Sequence, residues 1–537
     1  MADTKLHPRE IFQKREQLGL TNSMKMLSQI IETDKDNQIR NDAIKIMGKI
    51  SEQSNELKKY CFETLENLLI SDDSLEIKCS TAKVLGNIRY EKAIKPLKWV
   101  IEQKTTDIDV KEACLKAIAD IKFQKSEINL FINELNAKST SLKECVKNEL
   151  LTLTPDDLIP SLMSAIENDE YSEKHKMEII NLIGLELASL YVAFEDLNYL
   201  NIKYPEIISL LKQNKVTLLE TIVPNVKQED TQILDNSLTI LKVLGNSINK
   251  DLIKFLRHDD FIIKKNAINL IGKLQIKEGV GVLLNNLDDV YDEVNKAIIE
   301  ALGNIGEISA VPDLLKVLNI EDFSYEYLDF DMKWEIMDAI RNIYIQNKDT
   351  SYEYLLENID TDNDILKESV AYILGELENE EFVEPLLKLL DEKNLDTRKN
   401  AAIALGKIGD KRAIQELIDI VYDENNYWLL KKVAIDAIFN IYLKNLFEES
   451  KMSIEVNREF IQSTEKLIDY LKTTQDHCRV KLSAIKLLEV FGGKTAIDAL
   501  IKQLDDFHRI VRISSSKAIN KIEKRLKKKK KTPNQIT

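Results

Sequence analysis

One pattern recurs along this chain of 537 residues, and its clearest copy is LDTRKNAAIALGKIGDKRAIQELIDIVY, residues Leu395 to Tyr422. Apolar residues at Ala401, Ala402 and Leu405 follow steps of three and four, which predicts one face of a helix. Gly406 lies near the end of that face, and a second apolar pattern begins a few residues later. The segment therefore predicts a helix, a tight turn and a second helix.

Copies of this layout are present elsewhere. They run from Lys78 to Ile101, from Asn295 to Leu318 and from Lys367 to Leu390. Neither helix of such a unit can bury its apolar stripe alone, so the units must stack against one another. We therefore predict an all-α fold, an α-solenoid of about 14 helical-hairpin repeats.

A basic residue marks the register of the repeats, eight positions before the small residue that ends the first apolar pattern. It occurs at Arg40, Lys78, Lys111, Lys143, Lys176, Lys264, Lys333, Lys367, Arg398, Lys431, Lys481 and Arg512. One interpretation is a column of cations for an anionic ligand. The alternative is a set of internal bonds to acidic or carbonyl groups in neighbouring turns, and we favour that alternative because acidic residues precede most of the marks.

Two further features share this register. Short polar residues that suit helix N-caps precede the basic mark at Asp36, Ser74, Asp107, Ser139, Asp260, Asp292, Asp329 and Asp364. Proline follows the small residue by nine or ten positions at Pro96, Pro160, Pro312 and Pro385, where it suits the first turn of a second helix.

With these features the chain resembles the HEAT-repeat family, in particular the short HEAT-like repeats of phycobilisome lyase-type proteins. The resemblance implies a protein-binding scaffold or adaptor without enzymatic activity, whose partner proteins the sequence does not name. A bilin-lyase-like enzyme or enzyme-activating subunit is an alternative. A factor that binds RNA or the ribosome through a basic C-terminal tail is another.

Residues with a catalytic or metal-binding pattern are not evident in the sequence. The HEAT-like deoxyhypusine hydroxylases bind iron through paired His-Glu steps, whereas each of the five histidines here is followed by Pro, Lys, Asp, Cys or Arg. Trp99, Trp334 and Trp428 lie in different repeats at helical positions that are typical of a core. We therefore predict no cofactor, no metal and no enzymatic activity.

The repeat register divides the chain into segments. We predict a capping helix at 1–24, repeats at 25–188, a degenerate repeat region at 189–236, repeats at 237–526 and a disordered basic tail at 527–537. Insertions near 320–331 and 443–461 lengthen two of the C-terminal repeats.

The first insertion, IEDFSYEYLDFD, combines acidic and aromatic residues and is the most distinctive local segment. Rings supply contact area and carboxylates supply orientation for a basic or amphipathic peptide. The alternative is that the rings pack on the next repeat. The predicted partner-binding residues are Asp322, Phe323, Tyr325, Glu326, Tyr327, Asp329 and Phe330.

The C-terminal tail is predicted to make weak contacts with RNA or another anionic surface. Its candidate residues are Lys524, Arg525, Lys527, Lys528, Lys529, Lys530 and Lys531. The formal charge of the chain is −15; residues 517–531 carry +8, which leaves −23 on the rest. An acidic body opposes nucleic-acid binding by the repeats themselves.

Composition indicates the compartment. The five cysteines form no CxxC pair, which fits buried thiols in a reducing cytosol. No apolar run reaches the length of a membrane span, and the first residues lack an apolar signal region. We expect a cytoplasmic monomer.

Overall fold

The computed structural model describes residues 6–122, 125–194, 197–319, 330–447 and 454–531. Within these ranges every regular element is a helix, and the fold is the all-α solenoid of helical hairpins that the repeats predict. The chain divides into two compact units, residues 1–267 and 268–537.

Eighteen α-helices of the described residues begin in the first unit. They are α1 (Pro8–Gln13), α2 (Arg15–Leu18), α3 (Leu20–Thr33), α4 (Asn37–Ser51), α5 (Asn55–Ser71), α6 (Leu75–Ile88), α7 (Ile94–Glu102), α8 (Ile108–Lys122), α9 (Lys125–Glu134), α10 (Thr140–Leu150), α11 (Pro155–Ile166), α12 (Glu173–Phe194), α13 (Leu197–Lys203), α14 (Pro205–Gln213), α15 (Lys215–Asn225), α16 (Thr231–Leu244), α17 (Asn249–Lys254) and α18 (Phe261–Lys273).

The second unit has several repeats in which a long first helix is followed by a shorter second helix. Its helices are α19 (Val280–Leu284), α20 (Asp292–Ile305), α21 (Val311–Leu318), α22 (Phe330–Gln346), α23 (Glu353–Glu357), α24 (Asp364–Leu377), α25 (Val383–Leu389), α26 (Leu395–Ile408), α27 (Ile414–Tyr422), α28 (Trp428–Phe447), α29 (Ile454–Thr473), α30 (Cys478–Phe491), α31 (Lys494–Lys502) and α32 (Arg509–Lys531).

Helix α26 shows why the repeat sequence folds in this way. Asn394 caps its N-terminus by accepting hydrogen bonds from the first turn. Ala401, Ala402 and Leu405 are fully buried, as their spacing predicts. The helix ends at Gly409, whose φ of +83° is a left-handed conformation that favours glycine.

In several repeats a glycine near the end of the first helix allows the next repeat to approach closely. A Cβ atom built on Gly406 would lie 2.7 Å from the Cα of Ala437 in the following first helix. Gly375 stands in the same relation to Ala404, also at 2.7 Å from its Cα. Glycine here serves close helix packing between neighbouring repeats.

The basic column makes internal bonds between repeats. Lys367, Lys431 and Lys481 are each more than nine-tenths buried. The column members bond to acids or carbonyls in adjacent turns or on the next first helix: Arg40 to Asp72, Lys111 to Glu134, Lys143 to Glu178, Lys333 to Glu368, Lys367 to Glu392, Arg398 to the Leu390 carbonyl, Lys431 to Asp476, Lys481 to Asp506 and Arg512 to the Asp506 carbonyl. This geometry supports the alternative of internal bonds over a ligand-binding column.

Some predicted helix boundaries are wrong. Asp292 and Asp364 are not N-caps, because their helices begin one residue earlier than the register implies; Tyr291 and Asn363 take the cap positions. Pro160 lies inside α11 and not in its first turn, since the helix begins at Pro155.

The two ends of the chain also differ from the prediction. In place of one capping helix at 1–24, α1 and α2 precede α3, and Gly19 separates α2 from α3 at a φ of +76°. At the other end α32 continues to Lys531, five residues into the predicted disordered tail, because lysine has good helix propensity and cations are favourable near a helix C-terminus.

The described residues can also be compared with a membrane span and with a set of reactive cysteines. None of their helices combines the length and the apolar character that a membrane crossing requires. Cys61, Cys114 and Cys145 are buried, and burial raises the pKa of Cys61 to about 12, which keeps this thiol protonated.

Candidate functional site

The acidic–aromatic insertion falls almost entirely outside the described residues. Asp322, Phe323, Tyr325, Glu326, Tyr327 and Asp329 all lie there, and Phe330 enters only as the first residue of α22. Their predicted role in partner binding stays a prediction.

The tail residues separate into two kinds. Lys524 and Lys527 are exposed on α32. Arg525 is instead partly buried and donates hydrogen bonds to the carbonyl oxygens of Glu489, at 2.9 Å, and Val490, at 2.5 Å. It thereby satisfies the C-terminal end of α30, so it is not a free cation. Lys528 to Lys531 lie on the last turns of α32.

The three tryptophans are not core residues, which corrects the prediction from their helical positions. Trp99 is 48% exposed and Trp334 is 37% exposed, while Trp428 is half-buried. Trp428 stacks on His477, with ring centroids 4.3 Å apart. Because Trp is a large residue with a polar N–H, it commonly lies at interfaces when a helix leaves it uncovered.

Trp334 belongs to a surface cluster that spans three consecutive first helices. Its ring meets the ring of Tyr372 edge to face, with centroids 4.9 Å apart and an interplanar angle of 82°. The Lys407 ammonium lies 5.4 Å from the Tyr372 centroid. Ile403, at 38% exposure, continues the surface on α26. We call Trp334, Tyr372, Ile403, Lys407 and Glu376 the aromatic patch.

Ion pairs hold the aromatic patch together. Glu376 on α24 pairs with Lys407 on α26 and lies 3.7 Å from the Arg341 guanidinium on α22. Burial raises the pKa of Tyr372, and the carboxylates of Glu376 and Asp338 raise it further, so the phenol remains a hydrogen-bond donor. The two rings are therefore fixed in position by neighbouring helices, while one side of each stays open to solvent.

Sequence reasoning missed this cluster because Trp334 and Tyr372 are 38 positions apart in the sequence. A usable signal existed, since Trp334 follows its basic mark by one residue and Tyr372 follows its own by five. Where consecutive first helices stack, those two register positions become neighbours.

The histidines of this chain do not fit an iron site built from paired His-Glu steps, because none of the five is followed by Glu. Among the described residues, no group of three or more His, Cys, Asp or Glu side chains lies close enough to hold a metal ion. The histidines make structural contacts instead: His7 and His477 with N-terminal backbone N–H groups of α1 and α30, His258 with the Asp260 N–H, His175 with the Ile132 carbonyl and His508 with Asp506.

A curated relative corrects the prediction about activity. Deoxyhypusine hydroxylase of Debaryomyces hansenii is 36% identical over 169 residues, which are 29% of this chain and 54% of the relative. The chain thus spans about half the length of this relative. Because the relative is an enzyme, the match contradicts our prediction that the chain has no enzymatic activity.

Solved structures with related architecture have low sequence identity. A structure of importin beta superposes on 96% of this chain and 77% of its own length, at 13% identity and a TM-score of 0.42. Yeast importin-beta covers 97% and 80%, at 10% identity and a TM-score of 0.37. At these scores the likeness says nothing about partners.

The sequence profile of HEAT repeats matches residues 249–325 and 352–438. These ranges contain α20, α24 and α26, whose glycine contacts and bonded basic residues join each repeat to the next. These two segments of the chain are HEAT repeats.

Proposed function

We propose that the chain binds a protein partner through the aromatic patch of its second unit and so acts as a scaffold or adaptor. The observation that carries the proposal is the edge-to-face pair of the exposed Trp334 and the half-buried Tyr372, which lies among charged residues of α22, α24 and α26. Trp and Tyr are the residues that most often dominate the binding energy of protein interfaces.

The dimensions of the aromatic patch suit a short segment of a partner. Helices pack roughly 8–10 Å apart, so three consecutive first helices present a surface of about 20 Å, the length of a helix of about 13 residues. Lys407 and Glu376, the two charged residues of the patch, are already paired with each other. Rings would therefore supply most of the contact, and the rim charges would set orientation.

The predicted binding residues of the insertion belong to an adjoining part of the chain. That insertion ends where α22 begins, and Trp334 follows Phe330 by four residues. We propose that these insertion residues bind the same partner as the aromatic patch.

Trp334→Ala and Tyr372→Ala are each expected to remove binding of the same partner. Affinity for that partner should fall about 30-fold, because truncation of an interface hot spot costs roughly 2 kcal/mol or more. Wild type and variants should be used to capture proteins from native lysate, followed by titration of the identified partner. Trp99→Ala in the first unit is the matched control, because Trp99 is also exposed.

The melting temperature separates binding from folding in this experiment. Each variant should melt within about 3 °C of wild type, since a loss below 1 kcal/mol in a chain of this size shifts Tm by only a few degrees. The proposal fails if both variants capture the same proteins as wild type. It also fails if partner loss is accompanied by a large fall in Tm.

An enzymatic role is a second candidate function, favoured by the match to deoxyhypusine hydroxylase. The test is to incubate the full chain with a protein that carries deoxyhypusine and to measure, by mass spectrometry, the addition of one oxygen atom to that residue. Product above a no-protein control would support hydroxylase activity. Its absence at stoichiometric enzyme would rule out this substrate for the chain.

A further inference from the structure

The second helix of the repeat formed by α30 and α31, with the turn that follows it, exposes apolar positions that an earlier repeat buries. AIQELIDIV at 413–421 aligns with AIDALIKQL at 496–504. In the first segment Ile418 and Val421 are 1% and 0% exposed, and α27 packs against α28 and α29 of the following repeat. The equivalent Ile501 and Leu504 are 49% and 36% exposed. The described chain thus leaves open a surface of the kind that a helix normally covers.

Three more apolar side chains extend this surface. Phe507, in the turn after α31, is 92% exposed, and Ile510 and Ile513 on α32 are 56% and 42% exposed. We call Ile501, Leu504, Phe507, Ile510 and Ile513 the terminal face. A cluster of this size is unusual on a surface without a partner, because contiguous exposed apolar residues mark interaction sites.

A basic stripe continues the terminal face along α32. Ile513, Lys517, Asn520, Lys524 and Lys527 recur at steps of three and four, so they lie on one side of the helix. All five are exposed. The stripe begins with Ile513, which also belongs to the terminal face, and continues with Asn520 and three lysines. A partner that covers it therefore contacts both apolar and basic side chains.

Asn520 occupies the position at which a glycine lets a neighbouring repeat pack most closely. It stands eight residues after the basic mark Arg512, the position that Gly375 and Gly406 occupy in their repeats. Those glycines let the next first helix approach so closely that no Cβ atom fits between them. Larger residues occupy the same position at Arg341, Phe439 and Glu489, where the next first helix still packs. Asn520 is therefore compatible with a helix that packs on α32 less closely than the glycines allow.

We propose that the terminal face and its basic stripe bind an amphipathic helix of another protein, one with an apolar stripe flanked by acidic residues. Its apolar side chains would cover Ile501, Leu504 and Phe507. Its carboxylates would pair with Lys517 and Lys524. Five exposed apolar residues favour a protein helix over RNA, which would engage the lysines alone.

The test uses a synthetic helical peptide of about 20 residues with leucines at i, i+4, i+7 and i+11 and glutamates beside them. Its binding to the full chain is followed by fluorescence anisotropy. The triple variant Ile501→Ser, Leu504→Ser, Phe507→Ser should bind at least about tenfold more weakly. Ile262→Ser is the matched control, because Ile262 is exposed on α18 and belongs neither to the terminal face nor to the aromatic patch.

A second variant tests the charge of the partner. Lys517→Gln with Lys524→Gln should weaken peptide binding and flatten its dependence on salt, whereas a peptide with lysines in place of glutamates should not bind wild type. Since all five substituted residues are exposed, the variants should melt like wild type.

Several results would overturn the proposal. They are equal peptide binding by wild type and the triple variant, absence of binding to wild type at millimolar peptide, and equal binding of the lysine peptide. Sedimentation of wild type as a dimer and of the triple variant as a monomer would assign the face to a second copy. Binding of phosphatidylserine vesicles or RNA in place of the peptide would assign it to a membrane or a nucleic acid.

Discussion

Replacing Lys481 with methionine is expected to lower the free energy of unfolding by roughly 3–5 kcal/mol, the usual cost of removing one partner of a buried ion pair. The Lys481 ammonium lies 2.7 Å from the Asp506 carboxylate, and the two side chains are 9% and 6% exposed. Methionine keeps the volume and removes the charge, which leaves the carboxylate buried without its cation. Urea unfolding of wild type and variant at neutral pH gives the difference.

The difference in unfolding free energy between wild type and Lys481→Met should become smaller at acidic pH. Burial opposes ionisation of Asp506, but hydrogen bonds from Lys481 and from the His508 N–H lower its pKa below the ordinary value of about 4. A carboxylate with a lowered pKa contributes stability above its unfolded pKa and loses it as pH falls through the folded pKa. The gap between wild type and Lys481→Met should therefore be widest near pH 6 and shrink towards about pH 3.

Lys494→Met is the control for this prediction, because Lys494 is exposed on α31. Its stability should match wild type within about 0.5 kcal/mol at every pH. Equal stability of wild type and Lys481→Met, or a gap that does not change with pH, would show that the ion pair does not support the repeat.

Gly406→Val is expected to push two neighbouring repeats apart and to lower the free energy of unfolding by about 3 kcal/mol or more. The new Cβ atom would lie 2.7 Å from the Cα and 2.9 Å from the Cβ of Ala437 in α28. Both atoms are fixed by the helix backbone. Neither helix can yield by a side-chain rotation, so α26 and α28 must move apart. Denaturant unfolding measures the loss.

Hydrogen exchange reveals whether the damage spreads. Since each repeat is stabilised mainly by its neighbours, protection should fall in both α26 and α28. Gly281→Val is the matched control, because a Cβ atom on Gly281 meets nothing within 4 Å, and it should change stability by less than about 1 kcal/mol. Loss of protection in α26 alone would contradict the coupling between repeats.

The repeat architecture could be predicted because its physical requirements are periodic. Burial of Ala401, Ala402 and Leu405 follows from helical spacing, and the close approach at Gly406 explains why a small residue recurs there. The basic marks recur for the same reason, since each turn offers an acid or a carbonyl to a buried cation.

The candidate site was harder to predict because periodicity does not distinguish the middle of a helix's apolar stripe, where side chains are buried, from its edge, where they are exposed. Trp334 lies at such an edge, one residue after a basic mark, and is exposed. Its neighbour Tyr372 comes from the next repeat. Exposure of Ile501 and Leu504 was hidden for a related reason, because their sequence pattern equals that of the buried Ile418 and Val421.

Binding of a protein partner by the aromatic patch can be tested by site-specific photo-crosslinking. A photoreactive amino acid is placed at Ile403, within the aromatic patch, or at Val290, which is 93% exposed in the turn before α20 and outside it. We expect a discrete crosslinked protein from position 403, absent from position 290 and abolished by Trp334→Ala. The same products from both positions, or none from position 403, would show that the aromatic patch is not the binding surface.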